Sequence, residues 1–300
     1  MDLPPTGHDP VLLDEVLAQL DPQRGQTIVD CTLGRAGHAR VVAQRLGATG
    51  VLIGIDADPR NLEFARDQLK DAPCQVRLFH ANFAELDDVL GIVGQQQVDG
   101  ILADLGISTN QLFDAPYGLS FAQDMALDMR IDPRISRTAA DLVNTMREDE
   151  LANVLYELAD ERYSRRIARK IADARRLAPI TSTERLADLV RQAVPSRGHH
   201  HDKIDPATRT FMALRMAVNR EVENLQALLD QAPKHLKPGG RLAVISFHST
   251  EDRMVKQALR SAEQTGQLSI LTKKPITPSD AELARNPRSR SAKLRVAKKL

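Results

Sequence analysis

Between Gln26 and Asp104 short apolar runs rich in β-branched residues alternate with longer amphipathic segments, and this alternation leaves few folds open. A strand buried on both faces reads as a continuous apolar run, and its parallel neighbour is reached only through a crossover that a helix supplies. The pattern predicts strands at Thr27–Thr32, Val51–Asp56, Gln75–His80 and Asp99–Asp104, with helices at His38–Leu46, Arg60–Lys70 and Phe83–Leu90. Pro59 sits at a first-turn position, where its missing N–H goes unneeded. A doubly wound, Rossmann-like α/β sheet is expected.

After Asp104 the alternation stops. A loop bearing Gly, Ser, Asn and Pro runs to about Ile135, and Thr138–Val194 reads as helical throughout, with no strand pattern. Near Pro206 a strongly periodic helix begins, repeating through Phe211, Leu214, Arg215, Val218, Leu225 and Leu228. A KPGG turn, an apolar strand at Arg241–Phe247 and a helix from Thr250 mark the return of the sheet. Residues 1–109 and 208–300 are therefore expected to form the sheet domain, and residues 110–207 a mostly helical domain inserted between the fourth and fifth strands.

The chain has 41 basic and 40 acidic side chains, so any basic surface must be local rather than global. Its two cysteines, Cys31 and Cys74, imply neither a disulfide framework nor a zinc motif. No apolar run approaches the roughly twenty residues that span a bilayer, and MDLPPTGHDP lacks the basic and apolar parts of a signal peptide. These features point to a soluble cytoplasmic protein with no membrane partner. His199–His201 could ligate a metal, but their polar loop setting favours plain solvation, and no metal is expected.

The segment IVDCTLGRAGHAR places a strand, a turn with Gly34 and Gly37, and a helix start in succession, so backbone can approach a ligand closely. Asp56 closes the second strand about twenty residues later, where a carboxylate can accept both hydroxyls of a ribose. Together they indicate a ligand containing adenosine. Nicotinamide dinucleotides and S-adenosylmethionine both satisfy that pattern, although Ala36, where a dinucleotide loop wants Gly, weighs against the former. Asp104 ends the fourth strand, in the crevice where doubly wound sheets bind ligands.

Several segments resemble one family from end to end and in order: HDPVLLDEV, DCTLGRAGH, GIDADP, DGILADLGIS, ALDMRID, PATRTFMALRMAVNRE, PGGRLAVISFHSTEDRMVK and NPRSRSAKLRVA. It is the bacterial small-subunit (16S) ribosomal RNA cytosine-N4 methyltransferase family, also called the MraW family. The resemblance implies a class I methyltransferase sheet, S-adenosyl-L-methionine as methyl donor, and methylation of the exocyclic N4 of a cytidine in the decoding region of that RNA. It places cofactor contacts on Ala36, Gly37, His38, Asp56, Phe83, Asp104 and Gln111. The sequence departs from the family's usual pattern at Ala36, where Gly is common, and at YGLSF (Tyr117–Phe121), where RGFSF is favoured.

Cytosine N4 is a weak nucleophile, and Asp104 is the candidate catalytic group because an acid there can accept hydrogen bonds from the amine and take up its proton. Arg165, Arg166 and Arg169, in a basic stripe at helical spacing with Arg162 and Lys170, are candidate RNA contacts, as is the basic tail Arg285–Leu300. His248, Ser249 and Arg253 follow the fifth strand and are assigned to substrate positioning, with a helix cap by Ser249 or Thr250 as the plainer alternative. The partner implied is small-subunit ribosomal RNA within the assembled subunit, and a homodimer is among the assemblies allowed. A methyltransferase acting on another substrate, and a non-catalytic RNA-binding assembly factor of the same fold, are the competing functions.

Overall fold

The computed structural model describes residues 10–113, 117–195 and 205–300. It divides into two compact units, one running up to Gly106 and resuming at Val222, the other Ile107–Glu221.

The first unit opens with α1 (Leu13–Leu20), then alternates β1 (Thr27–Asp30), α2 (Gly37–Leu46), β2 (Val51–Asp56), α3 (Pro59–Gln68), β3 (Gln75–His80), α4 (Leu86–Val93) and β4 (Val98–Asp104). The four strands agree with the sequence reading to within two residues at each end. α1 was not anticipated, although Val16, Leu17 and Leu20 carry its apolar stripe. α3 starts where Asp58 accepts the Arg60 N–H and Pro59 fixes the first φ. A single 3₁₀ turn, Phe83–Glu85, precedes α4, capped by the Asn82 side chain on the Ala84 N–H.

The second unit contains α5 (Thr109–Phe113), α6 (Ala139–Thr145), α7 (Glu148–Ala159), α8 (Ser164–Arg175), α9 (Thr183–Ala193) and α10 (Ala207–Val218). Its core joins Leu142, Leu151, Ile167, Ile171, Leu186, Val190, Phe211 and Leu214. The periodic segment read as one helix is two. Arg220, at φ 51°, breaks it after Asn219, and α11 (Glu221–His235) begins beyond the break. Because Phe211, Leu214 and Val218 point into the second unit's core, the boundary falls after Glu221 rather than at residue 207. Periodicity locates an apolar face but not the core that covers it.

Two family-like motifs meet inside this unit. Asn219 donates from Nδ2 to the Met129 carbonyl at 2.8 Å and accepts the Ile131 N–H at 2.9 Å, which holds Met129 in a left-handed turn at φ 66°. Tyr117 and Leu119 are buried in the same core. Between them Gly118 has φ 59°, and a Cβ there would lie 2.1 Å from the Ala126 carbonyl oxygen. The YGLSF departure is thus a packing feature of the second unit. His199–His201 lie outside the described residues.

The first unit resumes with β5 (Leu236–Ser246), α12 (Ser249–Gln264), β6 (Leu268–Ile270), α13 (Asp280–Arg285) and β7 (Lys293–Lys299). The seven strands order as β3-β2-β1-β4-β5-β7-β6, parallel except for β7, which runs antiparallel to both β5 and β6. Adjacent residues of each strand face opposite layers: Ile28, Leu52, Leu102 and Ala243 pack with residues of α1, α2 and α3. Val29, Ile53, Ile101 and Leu242 pack with α4, α11 and α12. This is the doubly wound sheet expected, with a helical insert after its fourth strand. No helix among the described residues is long and apolar enough to cross a membrane.

The basic tail is not a free arm. β7 is an interior strand, Leu294 and Val296 enter the core, and the buried Arg295 donates to Asp252 Oδ1 at 2.7 Å while Lys293 reaches Oδ2 at 3.3 Å. Burial alone would raise the Asp252 carboxyl, but the two cations outweigh it and hold it below the usual range. Asp252→Ala should strand the Arg295 charge and lower the unfolding free energy by about 3–5 kcal/mol. Urea denaturation reads the loss, and adding Arg295→Met should recover most of it.

Candidate active site

At the carboxyl edge of the sheet three strands end in acids: Asp30 on β1, Asp56 on β2 and Asp104 on β4. β1 lies between the other two, so the acids gather where β1 and β4, wound in opposite directions, leave a crevice. Burial pushes Asp30 up to about 7, with Asp56 adding to the rise and the Thr32 N–H opposing it. Burial likewise lifts Asp56 to about 6, despite hydrogen bonds from Asp58, Gly34 and Asn61. Asp104 is raised well above the ordinary range by burial, then by the charges of Asp30 and Glu251. No Lys or Arg pairs with any of the three among the described residues. The nearest cationic candidate is His38, whose Nδ1 is 3.7 Å from Asp104 Oδ2 and whose Nε2 bonds the Val11 carbonyl at 2.9 Å.

Asp56 organises the loop. Its Oδ2 accepts the Gly34 N–H at 2.7 Å and its Oδ1 the Asp58 N–H at 2.8 Å, which ties the β1–α2 turn to the β2–α3 turn. Asn61 Nδ2 approaches the two oxygens only at 3.5 and 3.4 Å, long contacts that a ligand hydroxyl at normal distance would replace. Gly34 has φ 52°, with no atom closer than 3.9 Å to the space its Cβ would occupy, so the turn leaves room for a ligand beside Asp56. Ala36 caps α2 at φ 64° and is wholly buried. Gly37 starts that helix, and a Cβ on it would press the Pro10 ring at 3.3 Å. Arg35, next to Gly34, stacks over the Phe64 ring at 4.7 Å.

Asp104 is the least satisfied of the acids. Its amide donates to Thr32 Oγ1 at 2.6 Å, but its buried Oδ1 has no hydrogen-bond partner. A buried acceptor left in this state costs free energy that a ligand N–H would return. Phe83 follows β3, the neighbour of β2, and packs half-buried against the sheet core. After β5, His248 rather than Ser249 or Thr250 caps α12: its Nδ1 accepts the Glu251 N–H, and its Nε2 lies 3.1 Å from Glu251 Oε1. Ser249 and Arg253 are exposed. Cys31 is buried in the core, and burial raises its thiol, so it is packing rather than a nucleophile.

Gly34, Ala36, Gly37, His38, Asp56, Phe83 and Asp104 therefore share the first unit and its carboxyl edge. Gln111 belongs to the second unit, where its Oε1 accepts the Ser108 N–H at 3.0 Å. Arg165, Arg166 and Arg169 are on α8 of that unit. Asp30 and Glu251 were missed in the sequence reading. Asp30 ends a strand as Asp56 and Asp104 do, which is the signal that was there to find.

An acidic crevice repels a pyrophosphate and suits a ligand carrying positive charge. The sulfonium and ammonium of S-adenosylmethionine meet that condition, its ribose suits Asp56, and the orphaned Asp104 Oδ1 offers an acceptor. A doubly wound sheet in this strand order, with such a crevice, defines an S-adenosylmethionine-dependent methyltransferase. Residues 5–300 match the family described as the MraW methylase family. Similar proteins named ribosomal RNA small subunit methyltransferase H include that of Koribacter versatilis, 47% identical over 97% of this chain and 93% of its own. That of Geobacter sulfurreducens is 46% identical over 98% of this chain and 99% of its own. Among solved structures, a methyltransferase homolog protein from Pyrococcus horikoshii aligns at 14% identity and a TM-score of 0.47, covering 98% of this chain and 67% of that one. So distant a likeness carries no weight. The chain belongs to the MraW methylase family.

Ala36 holds a left-handed conformation that disfavours any Cβ. Ala36→Gly should relieve about 1–2 kcal/mol of that strain, but the greater freedom of Gly when unfolded and the loss of a wholly buried methyl offset most of it, so stability should change by less than about 1 kcal/mol. Urea titration of the two proteins side by side measures the difference.

Proposed function

We propose that this protein transfers a methyl group from S-adenosylmethionine to the exocyclic N4 of a cytidine in the decoding region of small-subunit ribosomal RNA, presented by the assembled subunit in the cytoplasm. The family match over nearly the whole chain supports methyl transfer, and the names of the relatives support ribosomal RNA of the small subunit as the substrate. The observation that carries the chemistry is the buried, unpartnered Oδ1 of Asp104 at the end of β4.

S-adenosylmethionine, when bound, supplies a methyl group on a positively charged sulfur that keeps the electron pair of the broken bond. Asp104 accepts a hydrogen bond from the N4 amine and turns its lone pair towards the methyl. Orientation of this kind is worth several kcal/mol of a barrier. As the N4–carbon bond forms, the amine must lose a proton. The raised affinity of the Asp104 carboxyl for protons makes it a stronger base than an exposed aspartate, and a cation beside it favours its ionised form. Asp56 holds the ribose, Gly34, Ala36, Gly37 and His38 shape the loop around the cofactor, and Phe83 offers a face to the adenine. Ser249 and Arg253 are assigned to the substrate side, Gln111 keeps the cofactor role that the resemblance implies, and His248 positions the start of α12.

The test is transfer of labelled methyl from S-adenosylmethionine to small ribosomal subunits lacking the modification, with nucleoside analysis of the product. N4-methylcytidine should form with the intact protein, and Asp104→Asn should lower the rate by about 10²–10⁴. Label on another nucleoside or on protein would overturn the substrate, and near-normal turnover of the variant would remove Asp104 from the chemistry.

Asp56 should also make cofactor affinity depend on pH. The carboxylate accepts from the ribose through the oxygens that protonation would block, and its folded-state value is about 6. Affinity should therefore be full well above that value and weaken as the pH falls through it. Calorimetric titration with S-adenosylmethionine from about pH 5 to 8 covers the range, since an ordinary aspartate would ionise well below it.

A further inference from the structure

The second unit carries a groove that the chemistry above does not use. Ile167, Ala168, Ile171 and Ala172 bury one face of α8, which turns Arg165, Arg166, Arg169 and Lys170 to the other side. These four are not equivalent. Arg165 folds back to α7, donating to Asn153 Oδ1 at 2.9 Å and to the Asp149 carbonyl at 3.3 Å. Arg169 lies 3.6 Å from Glu148. Arg166 and Lys170 have no hydrogen bond or ion pair among the described residues. They stand one helical turn apart, so their charges repel.

A cavity of about 310 Å³ lies between these cations and Gln192 of α9. That volume is at the small end of sites that take a ligand and suits one nucleotide unit. Among the described residues no aromatic side chain lines it, so they give it no platform on which a base could stack. It offers positive charge for phosphate along one wall, where the one acid, Asp173, is already paired with Arg176 at 3.1 Å, and an amide, both donor and acceptor, on the other. A concave pocket of this volume admits one unit of an unpaired strand, whereas the broad minor groove face of an RNA duplex does not enter it.

We propose that the α8–α9 groove holds the sugar–phosphate backbone of an unpaired segment of the substrate RNA, with Arg166 and Lys170 as phosphate contacts and Gln192 against a ribose hydroxyl. The RNA as partner rests on the proposed function. The groove grips without reading sequence, so it sets affinity and its dependence on salt, while the crevice of the first unit selects the base.

The experiment compares the full-length protein with Arg166→Ala/Lys170→Ala, and with Lys70→Ala as a control at an exposed cation of the first unit that pairs with Asp67. Anisotropy of a labelled single-stranded RNA, and of the matching duplex, is followed across salt concentrations, and methylation of small subunits is measured in parallel. For single strands each phosphate contact contributes about 0.7 to the slope of log affinity against log salt. The double variant should therefore lose about 1.4 from that slope. It should show a KM for subunits at least tenfold higher (a 10× shift is about 1.4 kcal/mol), with kcat little changed and S-adenosylmethionine affinity intact, while Lys70→Ala behaves as the parent. Unchanged slope and KM, or duplex bound as well as single strand through the same residues, would overturn the groove assignment. A parent protein that binds RNA with the expected slope but leaves the subunits unmethylated would overturn the proposed function and leave the groove standing.

Discussion

Three carboxyl groups at one edge of a sheet, Asp30 and Asp56 buried and Asp104 largely so, with no Lys or Arg among the described residues to neutralise them, are the constraint around which the first unit is arranged. Each would ionise freely in water, and burial makes the charged form costly. The folded chain answers in part with backbone dipoles. The Thr32 N–H reaches Asp30, and the Gly34 and Asp58 N–H groups reach Asp56. Asp104 receives no such help on Oδ1. The remaining imbalance is electrostatic, and it is what a positively charged ligand would relieve. The crevice that binds and the instability of the empty crevice are two aspects of one charge distribution.

The same economy explains why the loop after β1 is shaped as it is. Asp56 must be close enough to accept from Gly34, so the chain turns through left-handed conformations at Gly34 and again at Ala36. Gly meets the first at no steric cost, whereas Ala meets the second with strain. Strain at a ligand loop persists where surrounding contacts fix it, and here the Asp56 bonds and the burial of Ala36 do so. The antiparallel β7 serves a comparable end at the other side of the sheet. It closes over β5, its Arg295 meets Asp252, and α12, whose first turn carries Glu251 towards the site, is held in place.

Function divides between the units in a way that follows from their chemistry. The sheet unit concentrates negative charge suited to a small cation. The helical unit turns unpaired positive charge outward on α8, suited to a polyanion. Net charge is close to zero, so the two tendencies are visible only after the chain is folded and the charges are sorted in space.

Much of this was legible in the residues themselves. β-branched runs spaced by amphipathic segments fixed the parallel strands, because a strand covered on both faces has few other compositions. Asp56 and Asp104 stood out because acids rarely end buried strands without a task. Other features could not be read along the chain. Arg285–Leu300 looks like a basic arm, yet alternate residues of Lys293–Lys299 face opposite layers, and only the pairing with β5 shows which are buried. Phe211 and Leu214 announced a helix, but which core they enter depends on contacts far away in sequence. His248 became a cap, and Arg165 and Arg169 parted from Arg166 and Lys170, through neighbours on other helices. Sequence alone determined the local periodicities, the glycine turn and the identity of the acids, all of which depend on near neighbours. Tertiary structure decided the boundary between units, the burial of the tail, the lone acceptor of Asp104 and the free cations of α8, because each depends on which distant groups come to lie within bonding distance.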